Sequence, residues 1–266
     1  MGKQRLDTLL ADRGLFASRT RAAASVMAGD IQLGHDRRVA SKPGEMVAAD
    51  VLVAVRERPA YVSRGGVKLA SALAETGLAV AGRRALDVGA STGGFTDCLL
   101  AHGASQVIAL DVAYGQLDWG LRGDARVHVI ERCNARALTP QMLPYQPDLA
   151  VIDVSFISLA KVLPAVIACL SPQHDVLALV KPQFEVGRER VGKGGVVRDA
   201  APRRAALLDV GRAAGSLGEA VLAFAYSGLP GPKGNRESFI WLTDAARAGG
   251  ARSDTAIEEL ALRAEP

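Results

Sequence analysis

One stretch of the chain combines an acid with closely spaced glycines, directly after an apolar run. The run 84–88 contains Asp87 and leads into the turn 89–94, which reads Gly-Ala-Ser-Thr-Gly-Gly and precedes residues typical of a helix. A strand, glycine-rich turn and helix in this order form the ligand site beyond the first strand of open α/β sheets. We therefore predict a cofactor loop, with contacts from Asp87, Gly89, Ala90, Ser91, Thr92, Gly93, Gly94 and Phe95.

The residue types in this loop discriminate between cofactors. A dinucleotide loop would read G-x-G-x-x-G, but Ser91 stands where the second glycine should let the backbone approach a pyrophosphate. The Asp87 carboxylate would also repel phosphate, whereas it could pair with a cation. S-adenosylmethionine carries an ammonium and a sulfonium, and it fits the pattern better. A tight turn without a ligand is the alternative.

Two residues beyond the loop are candidates for the rest of this cofactor site. Asp111 closes the next apolar run, 107–110, where it would accept hydrogen bonds from ribose hydroxyls. Asn134 follows the third predicted strand and could bind the adenine edge, although a plain turn residue would look the same.

Four charged residues could perform the chemistry of methyl transfer to a hydroxyl group. That reaction needs the oxygen held in line with the methyl group and a base for a very weakly acidic proton, which a neutral lysine can supply. Asp153 and Lys181 each end an apolar run, so both lie at the carboxyl edge of the predicted sheet. Glu237 opens the last predicted strand, and Lys68 lies on the helix before the first. Each residue alone is more simply a solvated charge, but together they form a plausible set.

The elements that must position these groups alternate between strand and helix, which is typical of a mostly parallel sheet. Strands are predicted near 84–88, 106–111, 127–131, 148–153, 175–180, 220–226 and 238–243. Upstream, the pattern predicts a small module with helices over 5–13 and 18–27 and short strands over 31–33, 38–40 and 51–55.

Positive charge is concentrated in this upstream module. Residues 1–58 contain ten Lys and Arg against seven Asp and Glu, a difference that is most of the chain's net charge of +4. Such a concentration favours a polyanionic partner, although an ordinary solvated surface could also account for it.

The module resembles the alpha-L RNA-binding family. The resemblance rests on the strings Arg5-Leu6-Asp7, Ser18-Arg19-x-x-Ala22, Gly29-Asp30-Ile31 and Lys42-Pro43-Gly44. It implies that Lys3, Arg5, Arg19 and Arg21 contact RNA phosphates, contacts that position a protein on RNA without reading its sequence. Asp7 and Asp12 share the first helix with these cations and weaken the patch.

The remainder of the chain resembles the TlyA family of rRNA 2′-O-methyltransferases, which also carry a haemolysin label. The matching strings are Tyr61-x-Ser63-Arg64-Gly-Gly-x-Lys68-Leu69, Asp153-Val-Ser-Phe-Ile-Ser158 and Gly192-Lys-Gly-Gly-Val-Val-Arg-Asp199. The resemblance implies an α/β fold with the Rossmann-like seven-stranded class I methyltransferase sheet, one strand antiparallel, and a small N-terminal α+β RNA-binding domain.

The order Lys68, Asp153, Lys181, Glu237 also resembles the catalytic tetrad of FtsJ-like ribose methyltransferases. That resemblance implies that Lys181 accepts the hydroxyl proton. It further implies that the charge of Lys68 favours the neutral form of Lys181, while Asp153 and Glu237 fix the geometry.

A basic loop follows the fifth strand and contains Arg188, Arg190, Lys193 and Arg198. Gly187 to Lys193 meets the spacing G-x-x-x-x-G-K, but Gly194 replaces the magnesium-binding hydroxyl and no strand leads in directly, so a P-loop is rejected. A mobile loop that holds the RNA backbone is the better interpretation. We expect RNA contacts from Arg64, Arg188 and Lys193.

Composition sets the remaining expectations. Three widely spaced cysteines and four histidines give no disulfide framework and no zinc pattern, so we expect no metal. No apolar run is long enough for a membrane span and no signal peptide is evident, so we expect a cytoplasmic protein. The partner is expected to be ribosomal RNA or a ribosomal subunit, with no membrane and no obligate protein partner evident.

The predicted organisation is an RNA-binding domain over 1–58, a linker over 59–63, a methyltransferase domain over 64–246 and a tail over 247–266 that is a frayed helix or disordered. Two other functions stay open: a non-catalytic ribosome-assembly factor and, less favoured, a membrane-active haemolysin.

Overall fold

The computed structural model describes residues 2–56, 60–244, 246–247, 250–251 and 253–265. Contacts divide the chain into two compact units, Met1–Pro59 and Ala60–Pro266. The start of the predicted linker, residue 59, lies outside the described residues, as do parts of the predicted tail.

Over its described residues, 2–56, the N-terminal unit contains two helices and two small sheets. Its elements are β1 (Lys3–Arg5), α1 (Leu6–Asp12), α2 (Arg19–Met27), β2 (Ile31–Leu33), β3 (Arg38–Val39), β4 (Met46–Ala48) and β5 (Val53–Val55). β1 pairs with β4, and the second sheet has the order β3-β2-β5. Both predicted helices are confirmed, and Ser18 caps α2 by accepting a hydrogen bond from the backbone N–H of Arg21 at 3.2 Å. The sequence analysis missed β1 and β4, since three-residue strands carry too little alternation to be recognised.

A seven-stranded sheet forms the frame of the second unit. Its strands are β6 (Arg84–Val88), β7 (Gln106–Leu110), β8 (Val127–Ile130), β9 (Leu149–Ile152), β10 (Asp175–Val180), β11 (Glu219–Tyr226) and β12 (Ser238–Asp244). Their order is β11-β12-β10-β9-β6-β7-β8, and β12 runs antiparallel to both of its neighbours. The predicted fold class, with one antiparallel strand, is confirmed.

Helices cover both faces of this sheet. They are α3 (Arg64–Thr76), α4 (Gly94–Ala101), α5 (Trp119–Arg122), α6 (Leu163–Ile167), α7 (Pro182–Glu185), α8 (Ala200–Gly215) and α9 (Asp254–Ala264). One core lies beneath α3 and α4, and the other beneath α6, α8 and α9. Because both faces are covered, the central strands β9 and β10 are buried along their whole length, and polar side chains concentrate at the strand ends.

The segment predicted as a frayed helix or a disordered tail contains helix α9, which packs into the core, so the expected fraying or disorder is wrong over 254–264. Ile257 and Ala261 lie on one face of α9 at helical spacing, and both are buried in the core. Gly211 of α8 leaves room for this contact, because a Cβ at that position would lie 2.9 Å from Ile257 Cγ2. Over the residues described, no helix has the length and apolar character needed to cross a membrane.

Candidate active site

The carboxyl edge of the sheet brings the four predicted catalytic residues to one cavity of about 740 Å³. Asp153 directly follows β9 and Lys181 directly follows β10, and adjacent parallel strands place their following residues side by side. Lys181 Nζ lies 2.6 Å from Asp153 Oδ1 and donates a hydrogen bond to Ser155 Oγ at 2.8 Å. Only the contact with Ser155 is a hydrogen bond, since Asp153 Oδ1 meets Nζ as an ion pair without hydrogen-bond geometry. An ammonium has three hydrogens, so at least one remains for a further acceptor in the cavity.

The other two residues of the set form a buried ion pair. Lys68 lies on the second turn of α3, and Glu237 immediately precedes β12. Lys68 Nζ donates a hydrogen bond to Glu237 Oε2. Lys68 is 7% exposed and Glu237 is 1% exposed. A Cβ at Gly231 would lie 2.3 Å from Glu237 Oε1, so only glycine fits against this carboxylate. Each lysine of the set therefore has its own carboxylate, and the four charges balance.

Two aromatic rings and a basic rim complete the cavity wall. Phe156 is 90% exposed, and the centre of its ring lies 5.2 Å from the centre of the Phe184 ring. The backbone of Phe156 has φ +65°, a strained value for a bulky residue and one that tends to occur at functional sites. On the rim, Arg64 donates a hydrogen bond to the carbonyl of Pro230 at 2.9 Å, and Lys233 is exposed. Phe156, Phe184 and Lys233 were not among the predicted site residues, although Phe156 lies within the string 153–158.

The predicted cofactor loop adjoins the same edge of the sheet. Gly89 has φ +87°, and a Cβ there would lie 2.5 Å from the carbonyl oxygen of Asp153. A Cβ at Gly94 would lie 2.8 Å from the backbone nitrogen of Gly66, where α3 and α4 cross. These glycines therefore let the loop pack tightly against β9 and α3, in addition to leaving its backbone open to a ligand.

Asp87 lies beneath this loop. The sequence predicts a carboxylate that faces the ligand directly, whereas the structure buries the whole residue. Thr96 Oγ1 donates a hydrogen bond to Asp87 Oδ2 at 2.7 Å, and Oδ1 has no hydrogen-bond partner among the described residues. Burial raises the pKa of Asp87 to about 7, and the neighbouring charges of Asp153 and Asp111 act in the same direction. A buried, unpartnered oxygen favours a nearby positive charge.

Asp111 and Asn134 lie after β7 and β8, where they were predicted to flank the adenosine. The Asp111 carboxylate accepts hydrogen bonds from the backbone N–H groups of Ser91 and Ala113, both at 2.7 Å. Asn134 Oδ1 accepts from the backbone N–H of Arg136 at 3.1 Å and caps a short 3-10 helix over 135–137. Asp111 thus ties the cofactor loop to the neighbouring strand, and Asn134 has the turn-capping role that the sequence analysis kept as its alternative.

The residues at this edge fit S-adenosylmethionine. Asp87 supplies an uncompensated buried carboxylate oxygen, which suits a cationic ligand and disfavours a pyrophosphate. The residues predicted to contact it from the loop, Ala90, Ser91, Thr92, Gly93 and Phe95, lie between the end of β6 and the first turn of α4. The backbone of Ser91 has φ +49°, a second strained position at this edge.

The predicted RNA-binding residues of the N-terminal unit differ in how they are engaged. Asp7 is 3% exposed and pairs with both Arg5, at 2.8 Å, and Arg19, at 3.1 Å. The Arg5 hydrogen bond holds the pKa of Asp7 well below its usual range. Lys3 and Arg21 have no ion-pair partner among the described residues, so their charges remain available.

The predicted RNA contacts of the second unit lie on two segments. Arg64 lines the cavity, as stated above. Lys193 is exposed in the turn bounded by the bridge between Gly192 and Val196. The side chain of Arg188 lies outside the described residues. Over the residues described, no group of three or more His, Cys, Asp and Glu side chains could hold a metal ion.

Known proteins resemble this chain along most of its length. The model of the FtsJ-like methyltransferase family matches residues 61–243. The chain is 51% identical over 243 residues to the 16S/23S rRNA (cytidine-2′-O)-methyltransferase TlyA of Mycobacterium tuberculosis, a match that covers 90% of each chain. It is 35% identical to the 23S rRNA (cytidine-2′-O)-methyltransferase TlyA of Campylobacter jejuni, covering 68% of this chain and 70% of the relative.

A solved structure extends the match to both units. A protein of Streptococcus thermophilus that carries a hemolysin label is 40% identical, with a TM-score of 0.73, covering 99% of this chain and 96% of that one. Because the family model spans well over half of the chain and the relatives match along most of its length, the chain belongs to the FtsJ-like methyltransferases, and within them to the TlyA family.

Proposed function

We propose that this protein transfers a methyl group from S-adenosylmethionine to the ribose 2′-hydroxyl of a cytidine in ribosomal RNA. The observation that carries the proposal is the position of Lys181, whose Nζ contacts Asp153 and Ser155 at the wall of an open cavity beside the cofactor loop. The TlyA relatives named above supply the substrate: cytidine 2′-O-methylation in 16S and 23S rRNA.

The four charged residues divide the work of preparing the hydroxyl group. S-adenosylmethionine, when bound, supplies an electrophilic methyl group. Lys181 holds the substrate hydroxyl through its remaining hydrogen-bonding position and, as a neutral amine, accepts the proton of that hydroxyl. Asp153 and Ser155 fix the direction of Nζ. The buried pair of Lys68 and Glu237 keeps a cation close to the base without adding net charge to the cavity.

The cavity wall suits a nucleotide. The exposed ring of Phe156, which packs against the half-buried ring of Phe184, can stack on a base, which is how proteins commonly recognise unpaired nucleotides in RNA. Arg64 and Lys233 on the rim, with Lys193 on the exposed turn, can contact flanking phosphates. In the N-terminal unit, the free charges of Lys3 and Arg21 offer further phosphate contacts.

The test is methyl transfer from tritiated S-adenosylmethionine to purified 30S and 50S ribosomal subunits, followed by mapping of the labelled nucleotide. We expect label at a cytidine ribose in the wild type and at least a 100-fold loss in Lys181→Met, which keeps the length of the side chain but has no base. Val191→Ala, a change on the same cavity wall that leaves the four charges in place, is the matched control.

The result also separates this function from that of a non-catalytic assembly factor. Cofactor binding by calorimetry with no label in either subunit, and a Lys181→Met variant indistinguishable from the wild type, would show binding without turnover.

A further inference from the structure

Three consecutive residues before β12 each hold a different part of the second unit. Asn235, which is 1% exposed, accepts a hydrogen bond from the backbone N–H of Val197 at 2.9 Å and donates one to the carbonyl of Gly195 at 2.8 Å. Glu237 pairs with Lys68 on α3. Arg236 lies between Asn235 and Glu237 in the sequence, and its side chain binds a third part of the unit, the end of helix α9.

The partner of Arg236 is the carboxylate of Glu265, which directly follows α9. Arg236 Nε donates to Glu265 Oε1 at 2.8 Å, and Arg236 Nη2 donates to the carbonyl of Ala264 at 3.3 Å. The guanidinium also lies 4.0 Å from the centre of the Tyr226 ring at the end of β11. Glu265 is only 2% exposed, so its carboxylate depends on these partners to compensate the cost of burying a charge.

A second arginine shares the same carboxylate and extends the connection. Arg203 Nε, on the first turn of α8, donates to Glu265 Oε2 at 2.9 Å, and its Nη1 donates to the carbonyl of Arg198. Arg198 ends the basic loop that contributes Gly195 and Val191 to the cavity wall. Both oxygens of one carboxylate are therefore used, one toward the residue beside Glu237 and the other toward the end of the basic loop.

We propose that Glu265 is a positioning residue for methyl transfer, which acts through Arg236 to fix Glu237 and through Arg203 to fix the end of the basic loop. The inference rests on the proposed function. Since an error of about 1 Å in the position of a catalytic group can cost on the order of 100-fold in rate, loosening the 235–237 segment should lower turnover with little effect on binding.

The experiment compares Glu265→Gln with Asp254→Asn in the full chain. Asp254 lies at the opposite end of α9 from Glu265, where it pairs with Arg212 at 3.0 Å on the surface. Asp254→Asn therefore removes one negative charge, as Glu265→Gln does, but at the end of the helix that does not contact Arg236. For Glu265→Gln we expect kcat to fall about tenfold or more, with KM for S-adenosylmethionine and for the ribosomal subunit within twofold of the wild type. For Asp254→Asn we expect both parameters within twofold.

Hydrogen exchange provides a measure that does not depend on activity. A peptide spanning 227–238 should exchange faster in Glu265→Gln and at the wild-type rate in Asp254→Asn. Unchanged exchange in Glu265→Gln, an equal loss of kcat in both variants, or a rise in KM at constant kcat would each overturn the inference. A wild type that methylates no RNA would refute the proposed function alone, because the exchange measurement still tests the positioning.

Discussion

Lys68 and Glu237 form a buried ion pair although 169 positions separate them in the chain. The pair joins α3, which precedes the first strand of the sheet, to β12, which is its last strand in sequence. The cavity is therefore complete only when the second unit has folded from end to end.

Removing either partner of the Lys68–Glu237 pair alone should lower the free energy of unfolding strongly. Glu237→Gln leaves a buried ammonium without its counter-charge, and we expect the free energy of unfolding to fall by about 3–5 kcal/mol. The double variant Lys68→Met with Glu237→Gln removes both charges and should recover most of that loss, while methyl transfer stays absent. Urea unfolding of the two single variants and the double variant measures this. Equal destabilisation in all three would contradict it.

Asp87 should make the unfolding free energy depend on pH below neutrality. Its pKa is raised to about 7 in the folded protein, so between about pH 4 and pH 7 the folded state binds more protons than the unfolded state. Stability then falls as the pH rises through this range, by up to about 1.4 kcal/mol per pH unit. Asp87→Asn has no such group, so it should gain stability relative to the wild type from pH 4 to pH 7. A difference that stays constant with pH would contradict this.

The fold could be predicted from the sequence because its central strands are buried on both faces. Apolar runs such as 176–180 end where a polar residue begins, and this indicated both the end of the strand and the position of Lys181. Strand β1 was not predicted, and helix α9 was predicted only as a frayed helix or a disordered segment. β1 is too short to show a pattern, and α9 depends on contacts between Ile257 and Gly211 that a local reading cannot see.

The candidate site was predicted more completely in residue identity than in geometry. The sequence indicated that Asp153 and Lys181 meet at the carboxyl edge, because each follows a strand. It could not reveal that Lys68 pairs with Glu237 rather than acting alone, or that Asp87 is covered by its own loop. Both facts depend on side-chain burial, which follows from packing of the whole unit.

The two kinds of cation in the N-terminal unit should differ in their effect on RNA binding. Lys3 and Arg21 have no ion-pair partner among the described residues, whereas Asp7 already compensates Arg5 and Arg19. Lys3→Ala and Arg21→Ala should each weaken binding and lower the slope of log affinity against log salt by roughly 0.7–0.9, one phosphate contact. Filter binding of rRNA fragments at several salt concentrations measures this.

Arg13→Ala is the matched control, because that guanidinium is occupied by the carbonyls of Val51 and Ala49. It should leave the salt slope unchanged. Equal slopes for Lys3→Ala, Arg21→Ala and the wild type would exclude both residues from the phosphate contacts.

His174 and Glu219 should also make the unfolding free energy fall with rising pH, but in a higher pH range. Burial lowers the pKa of His174, but the hydrogen bond and charge of Glu219 outweigh it and raise the pKa above 6.5. The geometry agrees, because His174 Nδ1 lies 2.8 Å from the carbonyl of Ser171 and Nε2 lies 3.1 Å from Glu219 Oε2. Both partners accept only, so both ring nitrogens must donate, as in the imidazolium.

A histidine with a raised pKa stabilises the folded state below the unfolded value of 6.5 and loses that contribution as the pH rises through its folded pKa. The stability of the wild type relative to His174→Gln should therefore be greatest near pH 6 and decline toward pH 9. Glu219→Gln removes the main cause of the raised pKa, so it should abolish the decline. Chemical unfolding at pH 6, 7.5 and 9 tests both variants, and a wild-type advantage that grows with pH would show that burial, and not Glu219, governs this histidine.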